Sequence, residues 1–186
     1  MEMDTVNLGS QKSSIGALAG HSVDSSLREK LLEHLFVGEL LKSLWRQDRR
    51  DIEVLRAEVD RGGYDLVLEC NGIVRHVQLK SSRRGAKTDS VDIQMQLTAK
   101  PCGCVVWIYF DEVSLDLGPF LWFGSEPGKC LPNLGDKLAR HSKANSSGVK
   151  SLKTKHREVP RTRFVTISTM DELIARFFGF LDRSLV

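Results

Sequence analysis

Nowhere does this 186-residue chain hold the run of about 20 apolar residues that crosses a bilayer as a helix. Its N-terminus does not join a basic region to an apolar core, so it lacks the form of a secretory signal. Both absences read as a cytoplasmic protein with no membrane partner. The four cysteines, Cys70, Cys102, Cys104 and Cys130, match neither a disulfide framework nor paired zinc-binding spacing. They read as ordinary reduced thiols. There is no internal repeat, and the five histidines are scattered. A whole-chain charge of +3 is too small to name a partner.

The distribution of charge says more. Nine basic residues and two acidic ones lie between Asp136 and Arg163, so that stretch carries +7 and the remainder −4. Such asymmetry suits an anionic partner such as nucleic acid. Hydrophobic residues make up 41% and charged residues 27%, the composition of a globular domain with a proper core.

Residues 1–22, rich in serine, glycine and small side chains, read as a flexible leader, and 23–186 as a single domain. Asp24, Ser25 or Ser26 can cap a helix running to about Arg46. Leu27, Leu31, Leu35, Gly38, Leu41 and Trp45 repeat at helical spacing, flanked by Leu32, Phe36 and Leu44, which predicts a buried stripe. Arg28, Glu29, Lys30, Glu33 and Lys42 then fall on the wet side. A strand is expected at 52–59. Residues 91–100 fit either a strand or a short helix. Cys104 to Phe110 is a continuous apolar run, typical of a strand buried on both faces. A strand at 120–123 and a patternless basic loop at about 127–161 follow, the loop tip at Asn145 to Gly148. A last strand at 163–167 precedes a helix capped by Ser168 or Thr169, whose apolar face is Leu173, Ile174, Phe177, Phe178 and Leu181. Trp45, Trp107 and Trp122 are expected in the core. Helix, mixed sheet and helix together give an α/β or α+β domain.

The chemistry concentrates in residues 62–80. Asn71-Gly72 is the strongest short hairpin signal, and as a two-residue turn it sets Cys70 opposite Ile73. In that register Asp65 faces Gln78, and Lys80 points to the same side. Diagonal neighbours across a hairpin lie roughly 7–8 Å apart. A carboxylate, an amide oxygen and an ammonium therefore gather on one face, with Val67, Glu69, Val74 and His76. The other face, Tyr64, Leu66, Leu68 and Cys70 opposite Ile73, Arg75, Val77 and Leu79, reads as core. Gly62 and Gly63 would admit a ligand close to the backbone beside Asp65. Arg83, Arg84 and Lys87 follow Lys80 directly, in a polar exit suited to phosphate. Glu39 lies against the predicted apolar stripe, where a carboxylate needs a partner. Glu58 and Asp60 are nearby, in solvated positions.

Glu39, then Gly63-Tyr64-Asp65, then Gln78-Leu79-Lys80 resemble the signature of the PD-(D/E)XK nuclease superfamily. The branch with glutamine in the third position, as in Mrr-type restriction enzymes and certain intron-encoded homing endonucleases, is the nearest form. The resemblance covers roughly residues 27–82 in order, spacing and predicted element. Tyr64 stands where that pattern often has proline, and Gln78 where it usually has an acid. The resemblance implies a restriction-endonuclease-like fold, a mixed β-sheet flanked by helices. It implies an endonuclease hydrolysing phosphodiester bonds, in double-stranded DNA, with Mg2+ or Mn2+ held by Glu39, Asp65 and Gln78, and with either Glu69 or Glu39 supplying the carboxylate that Gln78 lacks. Lys80 would orient the attacking water, making Glu39, Asp65, Gln78 and Lys80 the catalytic set. Arg83, Arg84, Lys87, Lys150, Lys153, Lys155 and Arg157 would hold the nucleic acid backbone. Cutting both strands suits a homodimer. A catalytically weak binding or protein-interaction module with the same fold is the alternative, since a neutral Gln78 lowers the charge at the metal.

Overall fold

The computed structural model describes residues 25–59, 61–141, 148 and 150–179. The expected leader, and expectations for Asp60, Asn145 and Leu181, lie outside those residues. Among the described residues, helix α1 (Ser25–Arg46) leads into strands β1 (Ile52–Arg56), β2 (Leu66–Cys70) and β3 (Ile73–Arg83). Strand β4 (Ser90–Gln94) runs into a 3-10 turn, Met95–Ala99, so the ambiguous stretch holds both a strand and a helical turn. Strands β5 (Gly103–Phe110), β6 (Leu117–Gly124), β7 (Leu138–Arg140), β8 (Leu152–Pro160) and β9 (Val165–Ile167) precede helix α2 (Met170–Phe178).

The fold is α/β. Six strands form a mixed sheet in the order β1-β2-β3-β5-β6-β9, in which only β3 and β5 run parallel. The hairpin register is the predicted one, Cys70 opposite Ile73 and Leu66 opposite Val77. It is set by positive φ at both turn residues, 51° at Asn71 and 73° at Gly72. β5 is buried along its whole length, because both faces of the sheet are covered.

One face packs against both helices. Phe36, Val37, Leu40 and Leu44 of α1 and Leu173, Ile174, Phe177 and Phe178 of α2 close over Leu66, Leu68, Val77, Val106 and Trp122. The Thr169 hydroxyl accepts from the Glu172 backbone N–H and caps α2 as expected. Gly179 ends that helix in the left-handed conformation. Helices do not cover the opposite face, as a sheet flanked by helices would lead one to expect. It carries a second, three-stranded antiparallel sheet, β4-β8-β7, packed through Ile93 and Val159 onto Val105, Trp107 and Leu121.

That second sheet corrects the reading of 127–161 as patternless loop. β8 pairs with β4 from Ser90 opposite Pro160 to Gln94 opposite His156. Only Val159 of β8 is fully buried, so this central strand, rich in lysine, shows no period-two apolar signal. Its partners hold it through the backbone.

The helix stripe is corrected too. Two apolar faces compete on α1, and the one carrying Phe36, Leu40 and Leu44 docks on the sheet. Leu27, Leu31, Leu41 and Trp45 face outward, Trp45 64% exposed with the Arg50 guanidinium 4.2 Å over its ring. Trp107 and Trp122 are core, as expected. No helix among the described residues is long and apolar enough to cross a membrane.

Candidate active site

Asp65 lies just ahead of β2, tied by two bonds to β3 and by one to the chain after β1. Its N–H donates to the Val77 carbonyl at 2.9 Å, and its carbonyl accepts from the Ala57 N–H at 3.1 Å. The carboxylate Oδ2 accepts from the Leu79 N–H at 2.6 Å. A side chain thus takes the place of a ladder carbonyl, fixing the carboxylate to the strand that carries Gln78 and Lys80. A charge-assisted bond of this length is among the stronger ones.

Asp65, Leu79, Lys80 and Ser81 line one cavity of about 340 Å3 together with Glu29, Lys30, Leu32 and Glu33 of α1. Asp65 and Lys80 are therefore brought together as the hairpin register predicts. Gln78 is 3% exposed, and its Oε1 has no hydrogen-bond partner among the described residues. It sits opposite Val105, on the face covered by the second sheet, so the polar face of the hairpin is covered at Gln78.

Glu39 is not part of this cluster. Its side chain is half exposed and pairs with Lys42 at 3.5 Å along the helix surface. The reason is rotational. Glu33 and Glu39 are six residues apart, about 240° around a helix, so one face cannot present both to the sheet. Docking by Phe36 and Leu40 turns Glu33 inward and Glu39 outward. Glu33, read from sequence as wet, is only 9% exposed. Its Oε1 accepts from Arg56 Nε at 2.9 Å and its Oε2 from Lys30 Nζ at 3.0 Å. Such double pairing is what a buried carboxylate requires. Arg56 also reaches His34 Nδ1 at 3.0 Å.

Both oxygens of Glu33 are thereby engaged. Glu29, one helical turn earlier and exposed, is the helix carboxylate that lines this cavity and the next. The sequence signal for these two acids is their spacing from Phe36 and Leu40. It becomes visible only once the inward face of α1 is known.

A larger open cleft of about 1070 Å3 adjoins, lined by Arg28, Glu29, Ser81, Ser82, Arg83, Gly85, Ala86, Lys87, Thr88, Phe110 and Glu112. Of the predicted phosphate-binding residues, Arg83 and Lys87 line it, Arg83 pairing with Glu112 at 3.1 Å. Arg84 turns away, donating to the carbonyls of Gly118 and Asp116. Arg28 joins the cleft and was missed in sequence, being read as merely solvated. The residues predicted on the basic segment lie elsewhere, in or beside the second sheet. Lys153 pairs with Asp92 at 2.7 Å, and Arg157 donates to the carbonyls of Thr154 and His156. Lys150 and Lys155 are exposed. None of these four lines either cavity.

The glycines before Asp65 serve packing. A Cβ on Gly63, where φ is 73°, would lie 2.9 Å from Gln94 Cβ and 3.0 Å from the Leu97 nitrogen. What approaches the backbone there is the β4 turn, in the place expected for a ligand. Tyr64, expected on one core face with Leu66 and Leu68, packs instead with the second-sheet cluster, edge-on to His76 at 4.9 Å. His76 Nδ1 lies 2.8 Å from the Pro101 carbonyl, so this histidine is structurally engaged.

No group of three His, Cys, Asp or Glu side chains converges as a metal site among the described residues. The donors that line the cavity with Lys80 are all carboxylates, Asp65 of the hairpin and Glu29 and Glu33 of α1, whereas the unpartnered Gln78 amide oxygen lies outside it, under the second sheet. Hard divalent cations take such sets, with water completing the shell.

No protein-family model matches the chain, and no curated protein matches it. A solved structure of a bacterial homing endonuclease, I-Ssp6803I, is similar over 68% of this chain and 86% of that one, at 22% identity and a TM-score of 0.33.

Proposed function

We propose that this protein is a metal-dependent endonuclease of restriction-endonuclease-like fold that hydrolyses phosphodiester bonds in double-stranded DNA. The observation that carries the reading is the shared cavity of Asp65, Lys80 and the acids of α1, opening beside a cleft that holds Arg28, Arg83 and Lys87. Oxygen ligands, an ammonium and a basic channel are what in-line attack of water on a phosphodiester requires.

In this reading Asp65 and Glu29 would hold Mg2+ or Mn2+, with Glu33 as a second helix carboxylate should Lys30 or Arg56 release it, and Gln78 would join them only by turning out from under the second sheet. The cation, when bound, lowers the pKa of a coordinated water and offsets charge on the phosphate. The remaining work belongs to the chain. Lys80 orients the attacking water and stabilises charge on the phosphoryl oxygens. The Leu79 N–H fixes Asp65, so that its second oxygen, Oδ1, is presented in one orientation. Arg28, Arg83 and Lys87 hold the backbone on either side of the bond that is cut, contributing affinity without base recognition.

A second reading, a binding module with this fold and no cleavage, is favoured by one observation: the neutral Gln78 stands where an acid is expected. Incubation with supercoiled plasmid and Mg2+ or Mn2+, beside Lys80→Ala, separates the two. Metal-dependent nicking lost in the variant is the expected result. Binding by mobility shift with no cleavage would support the second reading, and equal nicking by both proteins would refute the assigned site.

A further inference from the structure

Helix α1 has a second apolar face that the fold does not use. Leu27, Leu31, His34, Gly38, Leu41 and Trp45 follow one another at intervals of four, three, four, three and four residues. That is the a/d spacing of a helix-packing seam. It points away from the sheet: Leu27 is 69% exposed, and Leu31, Leu41 and Trp45 are exposed as well. A Cβ added at Gly38 would meet nothing within 4 Å. A helix apolar on both sides is normally buried on both, and a contiguous exposed apolar strip marks a contact surface.

The sequence of the seam identifies what covers it. Reversed about Phe36, the six positions map onto themselves. Leu27 pairs with Trp45, Leu31 with Leu41, and His34 with Gly38. A two-fold interface must be complementary to its own image in this way, each residue meeting the counterpart that meets it. Large meets large at the ends. At the centre, the His34 ring meets the open backbone at Gly38, where two helices can approach most closely. His34 is already oriented by Arg56, whose Nη2 lies 3.0 Å from its Nδ1.

From these observations we infer that the chain self-associates as an antiparallel two-fold dimer through the outer face of α1. The inference is independent of the nuclease reading, since the seam lies opposite the face that turns Glu33 to the cavity. The strip is about 27 Å long at 1.5 Å per residue and one helix wide, at the low end of areas buried by specific dimers. Association is accordingly weak. In this register Arg28 of one copy lies toward Lys42 and Arg46 of the other, so like charges rim the seam and salt strengthens the dimer.

Sedimentation equilibrium of the full chain across the micromolar range tests this, beside Leu31→Glu and Trp45→Glu. The wild type should show a concentration-dependent dimer whose Kd tightens with added salt. Each variant should weaken it about 100-fold or more while keeping the wild-type thermal melt, because the substituted side chains are exposed. In a Cys130→Ser background, Leu31→Cys with Leu41→Cys should form an oxidised dimer, and Leu27→Cys with Leu31→Cys should not. A wild type monomeric throughout overturns the inference, as does a dimer unaffected by either glutamate. A monomer whose glutamate variants melt lower also overturns it, by showing that the face is covered within one chain.

Discussion

Replacing Arg75 with methionine should unfold the helix layer early. Arg75 is fully buried, and its guanidinium closes three main-chain carbonyls. Nε donates to Phe177 at 2.6 Å, Nη2 to Arg176 at 3.0 Å and Nη1 to Ser125 at 3.0 Å. Two of those carbonyls belong to the last turn of α2, which has no intrahelical donors to satisfy it. A cation there also complements the negative end of the helix. Burial pulls the Arg75 pKa below its ordinary value, with the nearby Cys104, Cys102 and Glu126 opposing.

Hydrogen bonds to a charged donor are worth about 1.5–3 kcal/mol each, so the three sum to roughly 4–9 kcal/mol gross. Methionine recovers apolar burial and removes the cost of desolvating a guanidinium, which returns about half of that. A net loss of about 3 kcal/mol is expected. In a chain of this length it corresponds to a fall in Tm of roughly 6–12 °C. Far-UV circular dichroism melts and urea titrations with unchanged m-value are the assay. A Tm within about 2 °C of wild type would refute the idea that Arg75 anchors α2.

Three further outcomes follow from the same structure. Burial raises the thiol of Cys70 to about 11 and that of Cys104 to about 12. A maleimide should therefore label Cys130 in the folded protein and spare both until denaturant is added, as read by mass spectrometry. Because both pKa values are raised from 9.0, their contribution to stability is whole below about pH 9 and lost as pH climbs toward 11 and 12. Urea midpoints constant from pH 7 to 11 would contradict this. Gly63→Ala combines positive φ with contacts near 3 Å and should cost about 1–3 kcal/mol, whereas Gly38→Ala, with open space around it, should be neutral or mildly stabilising in the monomer.

What could be read in the sequence was what local chemistry dictates. Asn71-Gly72 admits one tight turn, and that turn alone sets Asp65 against Gln78 and brings Lys80 alongside. Thr169 followed by Asp171 and Glu172 marks the start of α2 equally well. The helix carboxylate was not legible, because α1 carries two apolar faces of similar strength and only the sheet decides between them. Choosing Leu27-Leu31-Trp45 puts Glu39 at the site; choosing Phe36-Leu40-Leu44 puts Glu29 and Glu33 there. β8 was hidden for a different reason. Its lysines pair outward with Asp92 and solvent, its ladder is made by the backbone, and a run of Lys-Thr-Lys-His-Arg looks like loop. Arg75 reads as an error in a core face until the bare end of α2 is placed over it.

Under the proposed function, Asp65 should cut phosphodiester bonds with Lys80 and the cavity-lining acids of α1, and Glu39 should take no part. Single-turnover nicking of supercoiled plasmid by Asp65→Asn and Glu39→Gln tests it most directly. The asparagine is isosteric and still accepts the Leu79 N–H, so folding is preserved and only the charge is lost. Asp65→Asn should slow cleavage about 100-fold or more, and Glu39→Gln should match the wild type. Wild-type rates from Asp65→Asn, or loss of cleavage in Glu39→Gln, would contradict it.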